Sequence, residues 1–299
     1  MSDGYRSGTV ALVGRPNAGK STLFNQLVGA KVAITSDKPQ TTRHRILGVL
    51  TRPSGQLMFV DTPGVHRPHY RMNQRMMDAT RSVLGEVDVV ALLIDVTEEP
   101  GAGLRYTLDL VSDLDVPTFL LLNKVDRIAK AKLLPMIAAY SETGGWAEVI
   151  PISALKGDNC ERFLEVALGY LPEGEPLFPE DALTDRSERF LTAELVREQV
   201  LRHTREELPY TTAVAIDEWQ EPDRPGGVVR VFATIMVDAE SQKPIVIGRG
   251  GKMLKTVGTA ARAHIEKMLG RRVFLDLRVK VRSGWREDVP TLDRLEIEG

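Results

Sequence analysis

The chain has 299 residues and carries 39 Lys and Arg against 41 Asp and Glu, so its net charge of −2 signals no polyanionic partner overall. That length suffices for two separate cores. Cys160 is the only cysteine, which excludes an intrachain disulfide, and no apolar run nears the roughly 20 residues needed to span a bilayer.

The apolar run 9–13 predicts a strand, and it feeds Gly14-Arg15-Pro16-Asn17-Ala18-Gly19-Lys20-Ser21, a G-x-x-x-x-G-K-[ST] phosphate-binding loop. Leu23, Phe24 and Leu27 follow at helical spacing, and Gly29 supplies a helix stop. In such a loop consecutive backbone N–H groups point at phosphates, reinforced by the positive end of the following helix. Lys20 then places a point charge on the β- and γ-phosphates, Ser21 offers a hydroxyl to Mg²⁺, and Thr22 extends the contact surface.

Lys38-Pro39-Gln40-Thr41-Thr42-Arg43-His44 is polar between apolar neighbours, which suits a switch loop. Either Thr41 or Thr42, with Thr42 preferred, gives its hydroxyl to Mg²⁺ and its N–H to a γ-phosphate, so that loss of that phosphate frees the loop. Strand runs on either side of Arg52-Pro53-Ser54-Gly55 are joined too tightly for a crossover helix and must pair antiparallel. The second of them ends at Asp61-Thr62-Pro63-Gly64, which puts Asp61 where it holds Mg²⁺ through water and leaves the Gly64 N–H for a γ-phosphate. Run 116–122 ends in Asn123-Lys124-Val125-Asp126, whose Asp126 carboxylate accepts from the N1–H and 2-amino group of guanine, a pairing adenine does not offer. Lys124 is expected to lay its stem over the base. After run 148–151 come Ile152-Ser153-Ala154, where Ser153 completes the set and the Ala154 N–H faces guanine O6. The single Cys160 falls on an apolar stripe with Phe163, Leu164 and Ala167, which marks a buried structural thiol.

From residue 9 to 171 strand runs alternate with amphipathic helices, an α/β order for a mainly parallel sheet with one antiparallel edge strand. Residues 173–186 carry Pro176 and Pro179 among acids and suit a linker between a unit 1–172 and a unit 187–299. The second unit opens with a helix over 187–208, stopped by Pro209, then strands 211–219 and 227–237. A short helix, the turn Gly248-Arg249-Gly250-Gly251, a helix with stripe Leu254, Val257, Ala261, Ile265 and Met268, and a strand 273–282 complete it. The order α-β-β-α-α-β is that of an α+β type II KH domain, in which a G-x-x-G turn clamps single-stranded RNA. Residues 243–286 hold twelve Lys and Arg against Glu266 and Asp276, a local charge of +10 hidden by the overall balance. Arg249, Lys252, Lys255 and Arg282 are therefore expected on phosphate beside Gly248, Gly250 and Gly251. Val246 and Ile247 are expected to floor a base-reading groove.

Taken together, residues 14–21, 40–44, 61–64, 123–126, 152–154 and 246–252 resemble the translation-factor-like GTPases of the TrmE–Era group over nearly the whole chain. The resemblance implies a GTPase that binds small-subunit ribosomal RNA near its 3′ end and assists assembly of the 30S subunit. It also implies a substitute for the water-orienting glutamine, since Val65 follows Gly64: a potassium ion held with the help of Asn17. Lys20, Asn17, Thr42 and Gly64 are then the expected catalytic set. A monomer in the cytoplasm is expected, from the lone thiol and polar opening residues, and the resemblance allows peripheral contact with the inner face of the membrane. The rival reading is an RNA-binding protein gated by GTP occupancy, with hydrolysis incidental.

Overall fold

The computed structural model describes residues 4–99, 101–143, 145–204 and 208–297. Six strands form the first sheet: β1 (Arg6–Gly14), β2 (Ile46–Arg52), β3 (Gly55–Asp61), β4 (Val89–Asp95), β5 (Thr118–Asn123) and β6 (Glu148–Ile152). Their order is β2-β3-β1-β4-β5-β6, with β2 antiparallel to β3 and every other pair parallel. Every residue of β4 and β5 is buried, as parallel strands covered on both faces must be.

Alternate residues of β1 serve opposite faces. Val10 and Leu12 join Phe24 of α1 (Lys20–Val28) and Phe163 of α5 (Cys160–Tyr170), while Ala11 and Val13 join Met77 of α2 (Arg71–Leu84) and Val111 of α3 (Ala102–Ser112). Each such buried Val, Leu, Phe or Met side chain contributes about 1.5–3 kcal/mol, so the strand ends inherit a rigid base for their loops. Cys160 lies in the first of these layers, and burial pushes its thiol up to about 11, which makes it inert filler. The strand order reverses around β1, so the crevice at the carboxyl ends of β1, β3 and β5 is where a parallel sheet binds ligand.

Residues 173–186 do not hang free between the two sheets. The Gln56 side-chain carbonyl accepts from the Leu177 and Phe178 N–H groups at 2.8 and 2.9 Å, and Val49 N–H donates to Leu183 O at 3.0 Å. The Pro-rich stretch thus runs along the edge of the first sheet, its backbone donors satisfied there.

The second unit follows α6 (Glu188–His203), α7 (Leu208–Thr211), β7 (Ala213–Gln220), β8 (Val229–Val237), α8 (Lys243–Ile247), α9 (Lys252–Leu269) and β9 (Val273–Val281). With β7 antiparallel and β9 parallel to β8, this is the KH architecture, packed on a core of Val196, Val200, Val231, Val257, Ala261 and Ile265. Ser187 caps α6 by accepting from Phe190 N–H. The expected helix over 187–208 is shorter: Thr204 is an extended cap, residues 205–207 lie outside those described, and Pro209 sits inside α7 instead of stopping a long helix. Proline fits there because the first turn of a helix has no use for its missing N–H.

One element had no counterpart in the sequence reading. After β9 the chain forms α10 (Val289–Arg294), and Trp285, Leu292 and Ile297 bury themselves against Met72 and Met76 of α2 and Ala213, Ala215 and Met236 of the second unit. This closing segment is a joint between the units. Arg43 stacks its guanidinium 5.4 Å from the Trp285 ring on the same joint.

Candidate active site and nucleic-acid interface

The loop after β1 wraps a cavity of about 400 Å³ lined by Pro16, Asn17, Gly19, Lys20, Ser21 and Thr22. Close approach dictates its glycines: a Cβ on Gly14 would lie 2.6 Å from Leu93 O, and one on Gly19 2.2 Å from Asn123 Nδ2. Lys20 is buried with its ammonium on Gly14 O and Arg15 O, both at 2.9 Å. Burial lowers that ammonium to about 8, against the opposing pull of Asp61.

Ser21 Oγ lies 2.6 Å from Asp61 Oδ2 and 2.7 Å from Thr42 Oγ1. Burial pushes the Asp61 carboxyl up to about 6, although Lys20, Ser21 and Thr42 all favour its ionised form. Its second oxygen, Oδ1, is buried without a hydrogen-bond partner among the described residues. Two hydroxyls and a carboxylate with an unused oxygen form a donor set that suits a small hard dication. Thr42, not Thr41, reaches this cluster; the Thr41 hydroxyl turns away to Lys38 O at 2.6 Å.

Gly64 presses on the phosphate loop so closely that a Cβ would sit 2.8 Å from Pro16 N. Val65 donates its N–H to Gly14 O and buries its side chain in the core, so it contributes nothing to aligning a water. Asn17, at φ 65°, donates from Nδ2 to Asp37 O at 2.8 Å and so ties the phosphate loop to the switch segment.

On the base side Asn123 is a brace, donating to Ala18 O at 2.7 Å and accepting from Ala154 N–H at 2.9 Å. The Ala154 N–H, expected to face guanine O6, is engaged by Asn123 Oδ1 in this structure. Ser153 Oγ donates to Asp126 Oδ1 at 2.6 Å, which fixes the carboxylate of an otherwise exposed side chain. Lys124 pairs its ammonium with Asp95, so its stem lies along the cavity wall. Burial alone would raise Asp95, but the Lys124 and Thr97 hydrogen bonds hold it below the usual carboxylate range. Asp95 escaped the sequence reading because it ends a strand with no motif around it.

In the second unit Gly248, Gly250 and Gly251 adopt φ of 73°, 58° and 77°, a run of left-handed conformations that only this composition tolerates without strain. Gly248 is also pinned by space, since a Cβ would lie 2.7 Å from Met253 Cβ. Arg249, Lys252 and Lys255 are exposed and make no ion pair among the described residues. One expectation fails here. Val246 is wholly buried in the core and presents no surface to RNA, because α8 is one short turn whose outward residue is Ile245. Arg282 stays exposed while pairing at 2.7 Å with Asp288, the cap of α10. Ile247 is half-buried. The groove beside the turn is instead lined by Leu254, Gly258, Arg262, Leu275 and Leu277 between α9 and β9, about 350 Å³ in volume. Gly258, a glycine inside a helix, was the available signal for a groove wall without a side chain.

Comparison with known proteins agrees with both halves. A family model described as 50S ribosome-binding GTPase matches residues 9–124, and a KH-domain model matches residues 207–286. GTPase Era of Geobacter metallireducens is 47% identical over 296 residues, 99% of each chain, and that of Heliobacterium modesticaldum 47% identical over 94% of each. A crystal structure of Era with MgGDPNP and nucleotides 1506–1542 of 16S ribosomal RNA superposes with a TM-score of 0.95 at 41% identity, covering 99% of this chain and all of that one. A variant of Aquifex aeolicus Era bound to GDP and AlF4⁻ gives 0.94 at 41% identity, over 98% of this chain. Agreement along the entire length, through both the nucleotide crevice and the KH turn, places this chain in the Era family of GTPases.

Proposed function

We propose that this chain is a GTP-hydrolysing switch that binds the 3′ region of small-subunit ribosomal RNA and assists assembly of the 30S subunit. The observation that carries the reading is the full-length likeness to an Era held with both MgGDPNP and a 16S fragment, joined to an exposed cationic turn on this chain. The amino-terminal family match refers to the 50S subunit; the complex with 16S RNA favours the small one. We assign residues 1–172 to the GTPase unit, 173–186 to the linker and 187–299 to the RNA-binding unit, working as a cytoplasmic monomer. Among the described residues no helix is long and apolar enough to cross a membrane.

Hydrolysis breaks the bond between the γ-phosphorus and its bridging oxygen as water attacks in line, yielding GDP and phosphate. Lys20 offsets charge between the β- and γ-phosphates, and the Gly64 N–H meets the γ-phosphate. Ser21, Thr42 and Asp61 would hold Mg²⁺, which when bound offsets charge on the β- and γ-oxygens. Asp126 selects guanine. Multiple-turnover hydrolysis measured with and without a 16S 3′-terminal fragment tests the reading: a rate that RNA leaves unchanged would favour gating by occupancy alone.

With Val65 in the core, something else must complete the electrostatics of the transition state. Asn17 is the side chain placed for it, exposed and tied to the switch segment. Potassium should raise turnover over sodium by about 100-fold, the lower end of what one lost transition-state donor costs. Asn17→Ala should erase that difference while GTP still binds; equal rates in the two salts for the parent protein would refute the cation role.

A further inference from the structure

Residues 30–45 join α1 to β2 without regular structure, so their backbone groups depend on other parts of the chain. Asn25 holds the near end, accepting from Val32 and Ala33 N–H and donating to Ala33 O. Beyond it, besides the Asn17 hydrogen bond to Asp37 O, two grips come from α6, which belongs to the other unit. Glu198 is fully buried and accepts from Thr35 N–H at 3.0 Å, while Lys31 at 2.5 Å and Arg202 at 3.1 Å balance its charge. Its neighbour Arg197, 2% exposed, forks onto both oxygens of Glu194 at 2.7 Å and also donates to Thr41 O.

From one grip to the other Thr35, Ser36, Asp37, Gln40 and Thr41 line the nucleotide cavity, and Thr42, which also lines it, directly follows the carbonyl that Arg197 holds. Arg43, on the other side of Thr42, is itself buried and donates to Thr212 O, Pro209 O and Tyr210 O at 2.8–3.2 Å. Burial alone would raise the Glu194 carboxyl, but the Arg197 fork, helped by the charge of Arg43, outweighs it and keeps the group ionised. A guanidinium fixed by a buried carboxylate is a rigid donor.

We propose that Arg197 and Glu198 of α6 are positioning residues for GTP hydrolysis: they grip segment 35–41 at both ends and so set Thr42 beside Ser21 and Asp61. The nucleotide pocket is thereby completed by the RNA-binding unit. This rests on the assignment of Thr42 to the triphosphate and its cation.

Four variants of the full chain test it, each checked for a cooperative melt and for GDP affinity. Glu198→Ala removes the acceptor for Thr35 N–H. Arg197→Lys keeps a cation beside Glu194 but loses the fork, so one ammonium must serve both Glu194 and Thr41 O. Both should lower kcat about tenfold, the scale of one charge-assisted hydrogen bond, and weaken a non-hydrolysable GTP analogue similarly. GDP should still bind within about twofold, because it lacks the γ-phosphate that Thr42 meets. Glu198→Gln retains a carbonyl for Thr35 N–H and loses only the charge, so it should restore kcat while melting as low as Glu198→Ala. A purely structural role predicts the opposite pattern, lowered melting in all three with kcat unchanged, and that result overturns the proposal. If Glu198→Ala does not fold, Arg197→Lys decides by the same criterion. Thr42→Ala separates the two levels: it should abolish hydrolysis, and if it does not, the Thr42 assignment falls and the positioning role with it.

Discussion

Asp126→Asn should turn this GTPase into a xanthosine triphosphatase, with GTP affinity falling by about 10,000-fold as a site built for hydrogen bonds rejects the wrong edge. Guanine presents N1–H and a 2-amino group, two donors for one carboxylate; an amide at 126 brings its own donor against the amino group. Ser153 makes the outcome directional. Its hydroxyl donates to Asp126 Oδ1 at 2.6 Å, and in the variant it favours the rotamer with the amide oxygen at that position. The amide NH2 then takes the place of Oδ2, where the 2-oxo group of xanthine accepts from it. Titrating both nucleotides onto the variant checks this. Unchanged GTP affinity would remove Asp126 from base recognition. Ser153→Ala in the same background should blunt the gain of xanthosine triphosphate by releasing the amide to flip.

The nucleotide half was legible because each of its parts is local. A strand ends, a turn of fixed composition follows, and the order of the turns is set by parallel βα topology. What escaped depends on contacts far apart in sequence. The Ala154 N–H looked free because the Asn123 side chain that takes it comes 31 residues earlier. Val246 looked like a groove floor because a helix of five residues has no periodicity from which to tell inside from outside. Twelve cations over 243–286 looked like one RNA face, yet Arg271, Arg282 and Arg286 are paired with Glu188, Glu221, Asp288 and Asp238. The joint between units was invisible for a related reason. Arg43, Glu194 and Arg197 read as solvated charges when each is seen alone, and only their burial against one another reveals a contact across more than 150 residues.

Replacing both Arg249 and Gly250 by Asp should lower affinity for a 16S 3′-terminal RNA by about 100-fold or more at physiological salt, and flatten the salt dependence of what binding remains. The fold should survive. A Cβ at Gly250 meets nothing within 4 Å, and aspartate tolerates its φ of 58° better than most residues, whereas Gly248 would collide with Met253 and is left alone. GTP affinity should stay near that of the parent, since residues 14–21 belong to a different core. The same titrations test coupling. Helix α6 grips the switch segment with Arg197 and Glu198, and on its other side packs Leu195, Val196 and Val200 against Val257, Ala261 and Ile265 of α9, which begins directly after the glycine turn. If GTP favours the arrangement that takes RNA, reciprocity requires RNA to tighten a non-hydrolysable GTP analogue by the same factor by which that analogue, relative to GDP, tightens RNA. Both factors should disappear in Arg197→Lys while RNA affinity with GDP bound is retained. Equal RNA affinities with GDP and with the analogue in the parent protein would mean that α6 holds the loop without transmitting its state, leaving two modules that share a chain and nothing more.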